Sequence, residues 1–127
     1  ILRHLRQYQR PWSVGALAIE GARFLIAQDK PAISDLEGLL KETARLRDAL
    51  RALPGISVCE TDSTFMLCMI EQASSLQLKN WLIDHEGILI RNCSNFANLS
   101  PHHFRIATQS PEENNALISA LHRFLNE

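Results

Sequence analysis

The spacing of apolar residues along the chain predicts four helices. In four segments, apolar side chains recur every three or four residues, as on one face of a helix. These segments cover the apolar positions 14–25, 36–53, 78–82 and 117–125. The second segment is the longest, and its stop signals predict a helix of about 18 to 20 residues.

Helix boundaries are indicated by capping residues. Ser13 is a candidate N-cap for the first helix, and an S-x-x-E capping box begins at Ser34 for the second. A second box, with proline in the first helical position, begins at Ser110 and predicts the start of the last helix. Pro54 follows the long helix, and Gly87 is expected to end the short one.

Between the helices, short apolar runs predict four strands. They are Ile56–Val58, Phe65–Ile70, Ile88–Arg91 and Phe104–Ala107. The second run is apolar throughout, which favours a strand covered on both faces. The order of elements predicts an α/β fold, a two-layer sandwich with a small sheet and helices packed on one face. The first helix, rich in small residues, does not obviously belong to that sandwich.

Composition and charge exclude several classes of function. The chain has 127 residues and a net charge of −1, with no basic block for a nucleic-acid backbone. It has neither an apolar run of roughly 20 residues for a membrane nor an export leader. Three widely spaced cysteines predict neither a disulfide framework nor a metal site, and a cytoplasmic location is expected. The absence of Met at position 1 favours an excised fragment.

Two arginines are the candidates for chemistry. Arg91 closes an apolar strand, and Arg105 lies inside another, between Phe104 and Ile106. A guanidinium stays charged and is rarely buried without an anion, and its planar fork suits a carboxylate or a phosphate. A structural ion pair or a solvated surface arginine explains the same pattern. The polar loop between them, residues 92–100, suits a polar ligand and equally suits any ordered connection.

These segments resemble a known family of enzymes. The resemblance rests on GILIRNCSNF at 87–96, FRIA at 104–107, SPEEN at 110–114 and QRPWSV at 9–14. These runs are similar to the C-terminal part of fold-type-I aminotransferases, which use pyridoxal phosphate (PLP). Within that group they are most similar to L-threonine-O-3-phosphate decarboxylases of cobalamin biosynthesis, with histidinol-phosphate aminotransferases as near relatives.

The resemblance implies roles for three residues. Arg105 would bind the α-carboxylate of a small phosphorylated amino acid, Arg91 would bind its phosphate, and Asn95 is a further substrate-binding candidate. Residues 1–30 would end the large PLP domain, and residues 31–127 would form the C-terminal small domain, begun by a long linking helix. The intact enzyme would be a homodimer. Asn98 stands where the family usually has glycine, and asparagine tolerates the positive φ that such a turn needs.

The cofactor lysine is not expected in this chain. PLP acts as an electron sink when bound to a lysine, and the chain has Lys30, Lys41 and Lys79, none in a serine- and threonine-rich context. The sequence therefore predicts no catalytic, cofactor-binding or metal-binding residue, and an isolated chain without activity. Two alternatives stay open: a histidinol-phosphate or related aminotransferase, and a free-standing small α/β binding domain.

Overall fold

The computed structural model describes residues 14–28 and 35–127, together with His4 and Tyr8. The chain divides into two compact units, residues 1–34 and 35–127. The family-like segment 9–13, the candidate cap Ser13, the break at Lys30 and the first residue of the box at Ser34 lie outside the described residues. The division predicted at residues 30 and 31 stays a prediction.

In the first unit, the described element is helix α1, Ala16–Ile26. Its N-cap is Gly15, which has no side chain to accept a capping hydrogen bond. The prediction that Ser13 caps this helix is therefore wrong, because the helix begins two residues further along. None of its side chains is buried, although the helix is strongly apolar.

The second unit is a four-stranded antiparallel sheet with three helices. Its elements are α2 (Leu36–Arg51), β1 (Ile56–Val58), β2 (Phe65–Ile70), α3 (Ser75–Glu86), β3 (Arg91–Asn92), β4 (His103–Ala107) and α4 (Pro111–Leu125). The strands lie in the order β1-β2-β4-β3, and every neighbouring pair is antiparallel. The predicted mixed α/β fold and its order of elements are confirmed.

The core lies on one face of this sheet. Alternate residues of β2 and β4 point into it, among them Met66, Cys68 and Phe104, each at most 1% exposed. They pack with leucines from all three helices in one cluster. The intervening residues of β2 are half-buried or exposed, so the prediction that this strand is covered on both faces is wrong for the described residues. We call the uncovered side of the sheet the open face.

Capping explains where the helices begin and end. The cap of α2 is Asp35, whose carboxylate accepts a hydrogen bond from Gly38 N at 2.8 Å, so the prediction of a box beginning at Ser34 is wrong. The helix has 16 residues, fewer than predicted. The capping box at Ser110 is confirmed, and α3 has a box of its own at Ser74. Gly87 ends α3 with a φ of 66°, as predicted.

The third strand is shorter than the sequence predicts. Regular pairing covers Arg91–Asn92, whereas the apolar run predicted a strand at Ile88–Arg91. Ile90 is buried in the core, while Leu89 is 73% exposed. The apolar run therefore includes a residue that contacts the core and one that faces solvent. It precedes the paired part of the strand, which begins at Arg91.

The three cysteines are free, and their environments differ. Cys68 and Cys93 are buried, whereas Cys59 is exposed. Burial raises the pKa of the Cys68 thiol to about 12, and the nearby thiols of Cys59 and Cys93 act in the same direction.

Candidate functional site

The antiparallel register places the two candidate arginines side by side. Arg91 of β3 is the direct cross-strand partner of Arg105 of β4. Because side chains alternate along a strand, and Phe104 and Ile106 face the core, Arg105 lies on the open face. Directly opposed residues share a face, so Arg91 lies there too, with Cβ atoms about 4.5–5.5 Å apart.

Neither arginine is neutralised by a carboxylate of the described residues. Both side chains are exposed, and the ion pairs found in the described part of the chain involve other arginines and Lys41. The structural ion pair that the sequence left open is therefore not formed by the described residues. Like charges directly opposite one another on a sheet are destabilising. The exposure of both side chains agrees with the solvated surface arginine that the sequence left open, and the paired positive charges also suit a ligand that carries negative charge.

Each guanidinium lies over an aromatic ring. The Cζ atom of Arg105 is 4.7 Å from the centre of the Phe65 ring, and that of Arg91 is 5.6 Å from the centre of the Phe96 ring. Arg91 Nη2 also donates a hydrogen bond to Asn95 Oδ1 at 3.2 Å. The structure thus brings together the three predicted residues, Arg91, Asn95 and Arg105.

A pocket of about 420 Å³ opens beside the arginines. It is lined by Arg91, Arg105 and Phe65, by the segment 87–90, by residues 106, 107 and 109, and by four residues near the start of α4: Glu113, whose side chain is acidic, Asn114, Ala116 and Leu117. Residues 87–90 border the pocket without pairing with β4, because β3 begins only at Arg91. Its walls are mostly apolar, with the two cations on one side, which suits a small molecule that carries negative charge.

The loop that carries Asn95 and Phe96 is held at both ends. Ser75 Oγ lies 3.0 Å from Asn92 Oδ1 and 2.9 Å from the carbonyl oxygen of Pro101. Within the loop, Asn98 has a φ of 67°, in the left-handed region. The sequence prediction that asparagine can take the place of the family's glycine here is confirmed by this conformation.

Sequence reasoning missed two residues near the site. Phe65 escaped notice because its contact with Arg105 depends on how β2 pairs with β4, and an antiparallel register drawn from the sequence would have found it. Asn114 is 1% exposed and lines the pocket. Its side chain accepts a hydrogen bond from Gln109 N at 3.1 Å and donates to Glu42 Oε1 at 2.8 Å. It joins α2 to the turn between β4 and α4.

The described residues do not form a cofactor or metal site. Lys41 is exposed and pairs with Glu37 at 2.7 Å, and neither it nor Lys79 lines the pocket. Within residues 14–28 and 35–127, clusters of three potential metal ligands are absent. Lys30 lies outside the described residues. The two described lysines are therefore placed away from the pocket, and the predicted absence of a cofactor-binding residue stays a prediction.

No helix in the described part of the chain is long and apolar enough to cross a membrane.

Comparison with known proteins identifies one matching family model and several relatives of similar sequence. A family model for aminotransferase class I and II matches residues 1–121. Threonine-phosphate decarboxylase from Salmonella typhimurium is 30% identical over 98% of this chain and 34% of its own length. Histidinol-phosphate aminotransferase from Hydrogenobaculum is 31% identical over 94% of this chain and 34% of its own length.

A solved structure shows the same fold. The crystal structure of L-threonine-O-3-phosphate decarboxylase from Porphyromonas gingivalis matches 98% of this chain and 38% of its own chain, with a TM-score of 0.81 and 31% identity. The chain spans about a third of the length of the relatives it matches.

Proposed function

Because the chain belongs to the class I and II aminotransferase family, we propose that it is the C-terminal part of a PLP-dependent L-threonine-O-3-phosphate decarboxylase. Its contribution is to bind the two anionic groups of the substrate. Relatives named for that activity match nearly the whole chain in sequence and in fold. The proposal extends to a small phosphorylated amino acid as substrate, a homodimer and a cytoplasmic location.

The observation that carries the proposal is the arginine pair. Arg91 and Arg105 are direct cross-strand partners on the open face, and both are exposed. In the described chain neither has a carboxylate partner, so the pair presents two uncompensated positive charges to the pocket. A molecule with a carboxylate and a phosphate supplies the matching negative charges, and charge-assisted hydrogen bonds are the strong ones.

The two arginines are assigned different anions. In the proposal, Arg105 forms a bidentate pair with the α-carboxylate, because it is the arginine of the FRIA strand. Arg91 binds the phosphate together with Asn95. Asn95 uses its side-chain oxygen to hold Arg91. Its amide nitrogen, which carries two donor hydrogens, is then left to donate to a phosphate oxygen.

Members of this family generally use PLP. The described lysines do not line the pocket, so in the proposal the cofactor is held by residues outside the described part of the chain. Residues 1–30 would then complete the large domain, and residues 31–127 would form the small one.

A second candidate function is that of a histidinol-phosphate aminotransferase. It is favoured by relatives of that name, one of which is 31% identical, compared with 29% and 30% for two relatives named as threonine-phosphate decarboxylases. The same arginines would bind substrate, and the α-carbon would lose a proton instead of a carboxylate. The free-standing binding domain has no comparable support, since the family model covers residues 1–121.

The anion-binding part of the proposal is tested with the chain itself. O-phospho-L-threonine is titrated into the ¹⁵N-labelled chain, with L-threonine as the uncharged-side-chain comparison, and chemical-shift changes are followed by NMR. We expect changes in β3, β4 and the loop 93–102 that Arg105→Gln and Arg91→Gln each abolish. Arg123→Gln, which alters an exposed arginine of α4 paired with Glu86, is the matched control. Unchanged binding in both site variants contradicts the proposal.

The reaction is tested with the full-length protein that contains this chain. Release of CO2 from O-phospho-L-threonine supports the decarboxylase, and amino transfer from histidinol phosphate to a 2-oxo acid supports the alternative. Arg105→Lys keeps the charge but loses the planar fork, and we expect a loss in kcat/KM of about tenfold or more with nearly unchanged thermal unfolding. Full activity of this variant would identify Arg105 as a structural arginine.

A further inference from the structure

The sheet register explains why Phe65 of the open face lies beneath the guanidinium group of Arg105. Phe65 pairs with Ala107, and Leu67 pairs with Arg105, so Phe65 is the diagonal neighbour of Arg105 across β2 and β4. Diagonal neighbours on an antiparallel sheet lie about 7–8 Å apart, within reach of an aromatic ring and a long side chain. The 4.7 Å contact shows that Arg105 extends across this diagonal.

The direction of that contact separates the two charges. β4 lies between β2 and β3, so Arg105, by extending toward Phe65, turns away from Arg91 on the opposite side. Arg91 in turn lies over Phe96, which belongs to the loop that follows β3. Each ring attracts its guanidinium through the negative charge of the ring face and leaves the N–H groups free. A carboxylate partner would instead have neutralised the charge that an anionic ligand needs.

We infer that Phe65 and Phe96 are positioning residues, which hold Arg105 and Arg91 apart and fix the spacing between the two anion-binding groups. The inference rests on the proposed substrate site and adds what sets the distance between its two guanidinium groups. Both rings are well placed for this role, since Phe65 is 49% and Phe96 45% exposed and neither belongs to the core. Their exposure would otherwise cost solvation of an apolar surface without any structural return.

The inference is tested on the free chain by NMR of the arginine side chains. Protons of a guanidinium over a ring are shifted upfield by the ring current. In Phe65→Leu we expect the Arg105 side-chain resonances to lose this shift and the Nε–H bond vector to become more mobile. Phe65→Tyr keeps a ring and should retain both properties. Phe96→Leu should have the same effect on Arg91, which provides a second, loop-based variant.

Phe124→Leu is the matched control. The ring of Phe124 packs against that of Trp81, with 5.4 Å between the ring centres. The substitution therefore removes an aromatic contact elsewhere in the same unit. We expect no change at either arginine. Arg105 resonances that stay the same in Phe65→Leu, and Arg91 resonances that stay the same in Phe96→Leu, would overturn the inference.

Titration with O-phospho-L-threonine separates this inference from the proposed function. If the arginines are positioned for the ligand, each leucine variant should bind about two- to fivefold more weakly, as expected for loss of one exposed cation–π contact. Wild-type affinity in a variant whose arginine has become mobile would overturn the positioning role. A wild-type chain that shows no binding would contradict the proposed function, while the arginine resonances would still decide whether the rings hold the two side chains.

Discussion

At the scale of single residues, Asn98 shows how a departure from a family pattern is tolerated. Its φ of 67° lies in the left-handed region, where most side chains clash with the following carbonyl oxygen. Asparagine is one of the few residues other than glycine that occupy this region often. The loop that presents Asn95 and Phe96 therefore keeps its turn.

We expect substitutions at Asn98 to follow this backbone requirement. Asn98→Ala should lower the free energy of unfolding by about 1 kcal/mol, whereas Asn98→Gly should leave it within about 0.5 kcal/mol of the wild type. Urea unfolding at equilibrium measures both. An alanine variant as stable as the glycine variant would show that the loop relaxes into another turn.

The ionisation of Glu42 is expected to be linked to folding. The hydrogen bonds from Arg45, at 2.6 and 2.8 Å, hold the pKa of its carboxyl below the ordinary value of 4.5, and the hydrogen bond from Asn114 acts in the same direction. Partial burial opposes them. Because the folded pKa is the lower one, the stabilisation is fully present above pH 4.5 and is lost as the pH falls through the folded pKa.

The expected signature is a pH-dependent difference between the wild type and Glu42→Gln. The urea midpoint of the wild type should exceed that of the variant at neutral pH, and the gap should shrink as the pH falls below 4.5. Glu37→Gln is the control, because Glu37 is an exposed carboxylate on the same helix. A gap that stays constant down to pH 3 would rule out the linkage.

At the scale of elements, the start of α2 depends on one side chain. The carboxylate of Asp35 accepts the hydrogen bond of Gly38 N and lies beside the positive end of the helix dipole. The sequence analysis predicted the cap at Ser34, one residue earlier, because residue types alone do not decide which of two neighbouring residues leaves the helical conformation.

Replacing the cap tests this assignment. Asp35→Ala should lower the free energy of unfolding by about 1 kcal/mol, within the usual 0.5–2 kcal/mol for a lost N-cap. Asp35→Asn keeps a side-chain oxygen and should retain most of the stability. Thermal unfolding followed by circular dichroism distinguishes the two variants, and equal losses would mean that the charge rather than the hydrogen bond is responsible.

The elements that local signals determine were the ones predicted well from sequence. The box at Ser110, the left-handed Gly87 and the strand Phe65–Ile70 depend on nearby residues, and all are confirmed. The strand at Ile88–Arg91 was predicted too long, because apolar residues do not reveal where a partner strand ends. A similar limit applies to the open face, because apolar residues in a strand do not reveal whether another element covers that side of the sheet.

The site could be predicted in part for the same reason. Arg91 and Arg105 stood out because charged residues in apolar strands need an explanation, and the polar loop suggested Asn95. The direct pairing of the arginines and the ring beneath Arg105 depend on register between distant segments, so the single sequence did not show them. The network around Asn114 joins three elements and has no local signature.

At the scale of the whole molecule, the described lysines lie apart from the pocket that holds the two candidate arginines. The pocket is lined by two arginines and mainly apolar residues, and the described lysines lie elsewhere. The chain spans about a third of the relatives' length. Binding of substrate anions and attachment of the cofactor are thus expected to reside in different parts of the complete protein.

The isolated chain should therefore not form a lasting adduct with PLP. After incubation with PLP and dialysis, we expect no stable visible absorption band and no decarboxylation of O-phospho-L-threonine. Lys30→Arg, Lys41→Arg and Lys79→Arg variants are run in parallel to identify any lysine that reacts. A band that survives dialysis in the wild type and disappears in one of them would contradict the prediction.

The three free thiols differ in burial, so their rates of alkylation can report local and global unfolding of this chain. Cys59 is accessible in the folded state. Cys93 lies at the start of the polar loop 92–100, and Cys68 lies in the middle of β2. Under pulses of an alkylating reagent, Cys59 should react at once and Cys93 when the loop detaches. Cys68 should react only on global unfolding. Mass spectrometry of the labelled peptides would then time each event separately, and O-phospho-L-threonine should slow Cys93 more than Cys68.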